Sequence, residues 1–312
     1  MTASLHIAVT GASGMLGSAL VPSLTAKGHR VSRLVRRAPH GDEIQWDPAT
    51  GRLDAVRLAG VNAVVHLAGE NVGARWTEKR KRRIRESRVR GTRLLAETVA
   101  QMPSPPRVLV SASAIGVYGD RGDEILTESS SMLDAPPDFF VEIGREWESA
   151  TEPARAAGIR VVVLRFGVVL TPAGGALGRM LPPFRLGLGG PLGGGRQWMS
   201  WIALDDAVSA VQHVLATDSL GGPVNATSPN PVTNREFTAT LGRVLRRPAV
   251  FPVPALALKL AFGEMAEVAL LGSHRVVPKK LLETGFAFGY PELEGALRHL
   301  LGLVTQNGVK GP

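Results

Sequence analysis

The chain of 312 residues contains no cysteine. That single absence removes disulfides, thiolate metal sites and cysteine nucleophiles together. Tyrosine is almost as scarce, with two, and no lysine stands between Lys81 and Lys259. No run approaches the ~20 apolar residues that a bilayer crossing needs, so no membrane partner is expected. Met1 to Ser4 lead directly into an apolar run, without the basic, apolar and cleavable succession of a secretory signal, and a cytoplasmic location is expected. Charged residues, at 20%, are fewer than a disordered chain would carry, and apolar residues reach 44%. That is enough for the core of one large α/β domain, alone or with a small appendage.

What is abundant is positive charge. The net charge is +9, and ten lysines and arginines fall between Arg75 and Arg93. Such a stretch is either a nucleic-acid footprint or a solvated helix. It carries no recognisable reader motif, so nucleic acid is not an expected partner.

The apolar run Leu5–Thr10 reads as a strand, and Gly11-Ala12-Ser13-Gly14-Met15-Leu16-Gly17 follows it. Ser18 to Lys27 has helical spacing and ends on Gly28, and residues 29–35 read as a second strand. A parallel βαβ unit results. The alternation continues with strands at 63–68, 107–111 and 160–164 and helices at 77–101 and 138–157. Near-continuous Val, Ile and Leu in the strands fits burial on both faces. Thr171 to Gly195, with nine glycines and four prolines, reads as a long mobile segment covering a substrate. The expectation is an α/β fold, a doubly wound parallel sheet of Rossmann type with a small C-terminal substrate lobe. Residues 1–170 form its nucleotide-binding core. Residues 171–301 supply the substrate loop and lobe, interleaved with the core, and 302–312 a tail.

The glycine turn carries the cofactor argument. Gly11 allows a sharp turn, Gly14 lets backbone approach a pyrophosphate, and Gly17 lets helix and strand pack closely. The following helix start offers unpaired N–H groups to phosphates. An NAD site places an acid at the end of the second strand, but here Arg36 and Arg37 stand there. Two guanidiniums suit a 2′-phosphate, which points to NADP(H). In the basic helix, Ile84, Arg88, Gly91 and Leu95 share one face. Arg88 on that face either snorkels to water or points at an anionic cofactor.

Several blocks together resemble a known family. They are Gly11-x-x-Gly14-x-x-Gly17, Val65-His66-Leu67-Ala68-Gly69, Val110-Ser111-Ala112-Ser113 with Val117-Tyr118-Gly119, and Trp201-Ile202-x-x-Asp205-Asp206. This set resembles the extended short-chain dehydrogenase/reductases, the sugar-nucleotide epimerase group. Leu67-Ala68-Gly69-Glu70-Asn71, Ser87-Arg88, Trp147-Glu148, Arg165-x-Gly167-Val168-Val169-Leu170 and residues 183–190 resemble an atypical NADP-binding subgroup of it. Its members are described as epimerase family proteins or cell-division inhibitors, and the match runs from residue 5 to about 301. The resemblance implies that Gly11, Gly14 and Gly17 hold the pyrophosphate, that Ser13, Met15 and Leu16 also bind the cofactor, and that Arg36 and Arg37 take the 2′-phosphate. Ala68 and Gly69 would line the cofactor, Arg88 would touch it, and Val168 would pack near the nicotinamide. It also allows a homodimer built through sheet-flanking helices.

One part of the family pattern is missing. The usual catalytic pair is Tyr-x-x-x-Lys, yet four residues after Tyr118 and Tyr290 stand Gly122 and Glu294. On the helix where the pair belongs the chain reads Asp138-Phe139-Phe140-Val141-Glu142-Ile143-Gly144. Phenylalanine has no hydroxyl to exchange a proton. Ser113 remains as a substrate-orienting serine, and Tyr118 is the candidate acid/base. Glu70 reads rather as a loop acid, Trp147-Glu148 as a packing and salt-bridge pair, and His66 as a core histidine. Arg185, Arg196 and Trp198 are candidate contacts to an anionic or ring-bearing small molecule. The expected function is NADP(H)-dependent oxidoreductase or epimerase chemistry on an unidentified small molecule. The rival is a non-catalytic NADP(H) sensor.

Overall fold

The five residues His6–Thr10 form strand β1, and the glycine turn leads from it into helix α1, Met15–Ala26. This is a computed structural model, and it describes residues 4–303. Strands β2 (Arg30–Val35), β3 (Ile44–Asp47), β4 (Arg52–Leu53), β5 (Ala63–His66) and β6 (Val108–Ala114) follow. Two later strands, Arg160–Phe166 and Gly222–Ala226, complete one eight-stranded sheet. Its order is Gly222–Ala226, Arg160–Phe166, β6, β5, β1, β2, β3, β4. Every neighbouring pair is parallel except β3 with β4. From β1 the chain goes to β2 on one side and later enters β5 on the other. In open α/β sheets a ligand crevice lies outside the strand ends at that reversal.

Both faces of the central strands are covered, which is why β1, β5 and β6 are buried at nearly every position. Alternate residues of a strand point to opposite faces. Val65 thus joins Leu20 and Leu24 of α1 and Val211 of helix α6, whereas Val64 joins Leu95 and Val99 of helix α2. Helix α2 spans Glu78–Ala100, α3 Phe139–Ser149, α4 Glu152–Ala156, α5 Gly175–Arg185 and α6 Leu204–Ala216. The Thr77 side chain accepts from the Arg80 N–H at 3.2 Å and so starts α2. Asp138 starts α3 by accepting from the Phe140 and Val141 N–H groups. Each such cap is worth about 1 kcal/mol.

Two sequence expectations change. The helix expected over 138–157 is two, because Pro153 has no N–H with which to continue the ladder. The segment 171–195 is not a mobile loop, since it contains α5 despite Pro182 and Pro183. Leu177, Leu181 and Phe184 recur at i, i+4 and i+7 and bury against Trp201, Phe237 and Leu241. Apolar burial of that kind outweighs poor helix propensity. Past α5 the chain is pinned too: a Cβ on Gly189 would stand 2.6 Å from the Phe184 ring.

Beyond residue 170 the chain serves both the sheet and a smaller cluster. Helix α6 and Gly222–Ala226 return to the central core. Helix α7 (Asn234–Leu245) and the helix Leu293–Leu300 pack on α5 around Phe237. Of the expected tail, 304–312 lie outside the described residues. Among those described, no helix is long and apolar enough to cross a membrane.

Candidate functional site

The turn after β1 rests directly on the backbone that follows β5. Gly11 has φ +65°, which a side chain disfavours, and a Cβ there would lie 2.8 Å from the Ala68 nitrogen. A Cβ on Gly17 would lie 2.2 Å from the Gly11 carbonyl oxygen, so α1 starts hard against the turn. The Gly14 N–H donates to that carbonyl at 2.9 Å. Within α1 the first backbone bond is Ser18 N–H to Gly14 oxygen, and no side chain caps the helix. Met15, Leu16 and Gly17 therefore present open N–H groups at the positive end of the helix dipole. Ser13 is exposed beside them and Leu16 half-buried. The Met15 thioether reaches Gly175, where α5 begins.

Arg88 does not snorkel to solvent. Its guanidinium folds inward over Gly69, where a Cβ would meet it at 3.2 Å. It donates to the Glu70 carbonyl at 3.0 Å and lies 5.1 Å from the Trp147 ring centre. No carboxylate pairs with it among the described residues. Burial accordingly pushes its pKa down to about 10, although Glu70 pulls the other way. A half-buried cation without a counter-ion thus faces Gly69 and the backbone on which the Gly11 turn rests.

The two arginines after β2 part company. Arg37 is bound to both Glu43 oxygens, at 2.6 and 2.7 Å. Arg36 is exposed and makes no hydrogen bond or ion pair among the described residues. Val168 is half-buried in a two-strand ladder, opposite Trp201.

Ser113 and Tyr118 belong to one hydrogen-bonded network. The Ser113 hydroxyl donates to Glu148 Oε1 at 2.8 Å. Glu148 in turn grips Arg165 through Nε and Nη2, at 2.8 and 2.7 Å. Arg165 Nη1 donates to the Tyr118 hydroxyl at 2.8 Å, and that hydroxyl donates to Asn225 Oδ1 at 2.9 Å. Tyr118 is fully buried, so it neither opens into a pocket nor carries its hydroxyl at the surface. Burial raises its pKa against the pull of Arg165. Burial also works against the charge of Arg165, but Glu148 and Tyr118 outweigh it and the pKa rises. Arg165 was the residue to look for, since it is the one charge inside the apolar run Val161–Phe166.

The helix positions of the absent pair are filled by packing. The Phe140 ring lies where a Cβ on Gly116 would come within 2.9 Å. A Cβ on Gly144 would stand 2.9 Å from Val117, so a lysine there would collide with it. His66 is a core histidine, bonded to Thr10 at 2.7 Å and Thr92 at 3.0 Å, and burial lowers its pKa to about 4. Glu70 is a loop acid, 3.7 Å from Arg83, and Glu142 an exposed partner of Arg85. Arg196 lines a cavity of about 500 Å³ with Asp120, Asp123, Lys259 and Ser273. Trp198 Nε1 donates to Asp123 at 2.8 Å. Arg185 does not line this cavity and is exposed at the end of α5.

Residues 7–226 match the model of the NAD dependent epimerase/dehydratase family. The chain belongs to that family. Its residues 253–300 match a domain of unknown function, DUF1731. Among epimerase-family relatives, the "Epimerase family protein Mb2239" of Mycobacterium bovis is 44% identical over 297 residues, covering 95% of this chain and 97% of that one. The crystal structure of human epimerase family protein SDR39U1 (isoform 2) with NADPH superposes with a TM-score of 0.87. It is 35% identical, and the match covers 96% of this chain and all of that one. A nucleoside-diphosphate sugar epimerase from Corynebacterium glutamicum gives a TM-score of 0.78 at 38% identity, over 96% of this chain and 59% of that one.

Proposed function

We propose that this epimerase-family chain binds NADP(H) in the crevice between β1 and β5. The observation that carries this reading is Arg88, a half-buried cation with no carboxylate partner among the described residues, set over Gly69 beside the Gly11 turn. An anionic cofactor would balance it. The open N–H groups of Met15, Leu16 and Gly17 suit a pyrophosphate, with Gly11, Ser13 and Gly14 shaping the approach. Arg36, free of partners, suits the 2′-phosphate, whereas Arg37 would first have to leave Glu43. Ala68 and Gly69 line the crevice floor, and Val168 stands toward the nicotinamide side. The human relative crystallised with NADPH supports the same cofactor.

When bound, the cofactor supplies a hydride donor or acceptor, which fits an oxidoreductase or epimerase acting on a small molecule. The chain's own part differs from the usual dyad. Ser113 gives its proton to Glu148, so toward a substrate hydroxyl it offers only a lone pair. It would orient a substrate by accepting a hydrogen bond. Tyr118, enclosed between Arg165 and Asn225, serves the network and not the substrate. Those engaged hydroxyls also favour the second reading, a non-catalytic NADP(H) sensor. Consumption of NADPH with any member of a metabolite panel separates the two.

The test is a fluorescence titration with NADPH and NADH on the native protein and Arg36→Ala. Native protein should prefer NADPH, and the variant should lose about tenfold of that affinity, worth ~1.4 kcal/mol, with NADH unchanged. Absence of binding by either nucleotide overturns the reading.

A further inference from the structure

Six large apolar side chains are exposed within residues 186–188 and 250–260. Leu186, Leu188, Val250, Phe251, Leu256 and Leu260 are each between 54% and 75% exposed. They belong to two segments that run together. The Phe251 N–H donates to the Gly189 oxygen at 3.1 Å, Val253 N–H to Pro191 oxygen at 2.9 Å, and Gly193 N–H to Val253 oxygen at 2.9 Å. Arg247 Nε donates to the Arg185 carbonyl at 3.0 Å. The leucines face out while the glycines that follow them pack inward: Gly189 lies against the Phe184 ring, and Gly190 against the Phe251 backbone.

Helix α8, Ala255–Phe262, extends this strip. It is apolar on every side, with Lys259 its one charged residue, and only Leu258 is buried. A helix of that composition is ordinarily enclosed. Exposed large apolar side chains gathered on adjoining segments mark an interaction site.

Its charge says what it meets. Arg185, Arg246 and Arg247 are exposed around the strip, while Lys259 is paired with Glu267 at 2.6 Å. No aspartate or glutamate occurs between Glu152 and Asp205, or between Glu236 and Glu264. Both segments that build the face are therefore acid-free, and two copies brought face to face would repel. Five of the six apolar groups are aliphatic, suited to acyl chains and not to stacking on bases. We propose that this face seats the protein peripherally on an anionic lipid bilayer. Leu256, Leu260 and Phe251 enter the headgroup–acyl boundary while the flanking arginines meet lipid phosphates. The chain lies on the membrane and does not cross it.

The test is flotation of the full chain with vesicles of phosphatidylcholine alone, or with about one-third phosphatidylglycerol, where each basic residue adds to the attraction. Native protein should float with the anionic vesicles only. Leu256→Glu/Leu260→Glu and Arg185→Glu/Arg246→Glu should each lose binding by about tenfold or more. All four positions are exposed, so unfolding temperature and elution volume should match the native protein. Arg82→Glu/Arg93→Glu, in the basic stretch of α2, should bind as native does. Three results overturn the proposal. One is no flotation with anionic vesicles. Another is flotation kept by Leu256→Glu/Leu260→Glu but lost in the α2 variant. The third is a native dimer that Leu256→Glu/Leu260→Glu dissolves, which gives the face to a second copy.

Discussion

Two guanidiniums lie inside this fold, on neighbouring sides of α3, and they are treated in opposite ways. Arg165 has a carboxylate on two of its nitrogens and a phenol on the third. Arg88 has backbone carbonyls and the Trp147 ring and, among the described residues, no carboxylate. Burial costs both, but only Arg165 is repaid by charge from its own chain. A balanced buried charge holds structure together, while an unbalanced one waits for something from outside. The difference separates a structural centre from a binding site without reference to where catalytic residues usually stand.

The comparison can be broken from either side. Glu148→Ala leaves Arg165 buried and unpaired, and should lower stability by about 3–5 kcal/mol in chemical denaturation. A loss under ~1 kcal/mol would mean that Arg165 relaxes to solvent and that the pair is ornamental. His66 offers a neutral counterpart, held near pKa 4 by burial where the unfolded chain would protonate near 6.5. Between those values the unfolded state binds more protons, so stability falls as pH is lowered through the window, by up to ~3 kcal/mol. His66→Gln, compared with native protein by urea unfolding at neutral and mildly acid pH, should flatten that loss. Arg88→Met is the sharpest contrast with Glu148→Ala. It should weaken NADPH about 10–100-fold, the worth of one charged hydrogen-bonding partner, and leave stability level or slightly raised. Destabilisation as large as that of Glu148→Ala would place Arg88 among the structural charges instead.

How far the sequence could be read follows the range of the forces involved. Strand β1, the glycine turn, α1 and the capped start of α2 rest on neighbours in sequence, so periodicity and turn chemistry expose them. The face of Arg88 was legible at helical spacing, but not whether it points in or out. That depends on the space Gly69 leaves and on Trp147, 59 positions from Arg88 in the chain. Arg36 and Arg37 look alike as letters, and Glu43 on the next loop decides between them. Tyr118 is drawn inward by Arg165 and Asn225, from two other strands, which no local pattern reveals. For α5 the signal was present in Leu177, Leu181 and Phe184, but nine glycines and four prolines around it obscured it.

The sheet has a further consequence, for the order in which the chain can fold. The strand Arg160–Phe166 pairs with β6 on one side and with Gly222–Ala226 on the other. On a ribosome the second partner emerges more than fifty residues late. Until then a strand with five consecutive buried positions presents an open hydrogen-bonding edge, the feature that invites pairing with another chain. Parallel pairing over such sequence distances is also slow. The nascent protein therefore has the proposed cofactor crevice within reach before its sheet is closed. Crowding by other half-made chains is most dangerous in that interval.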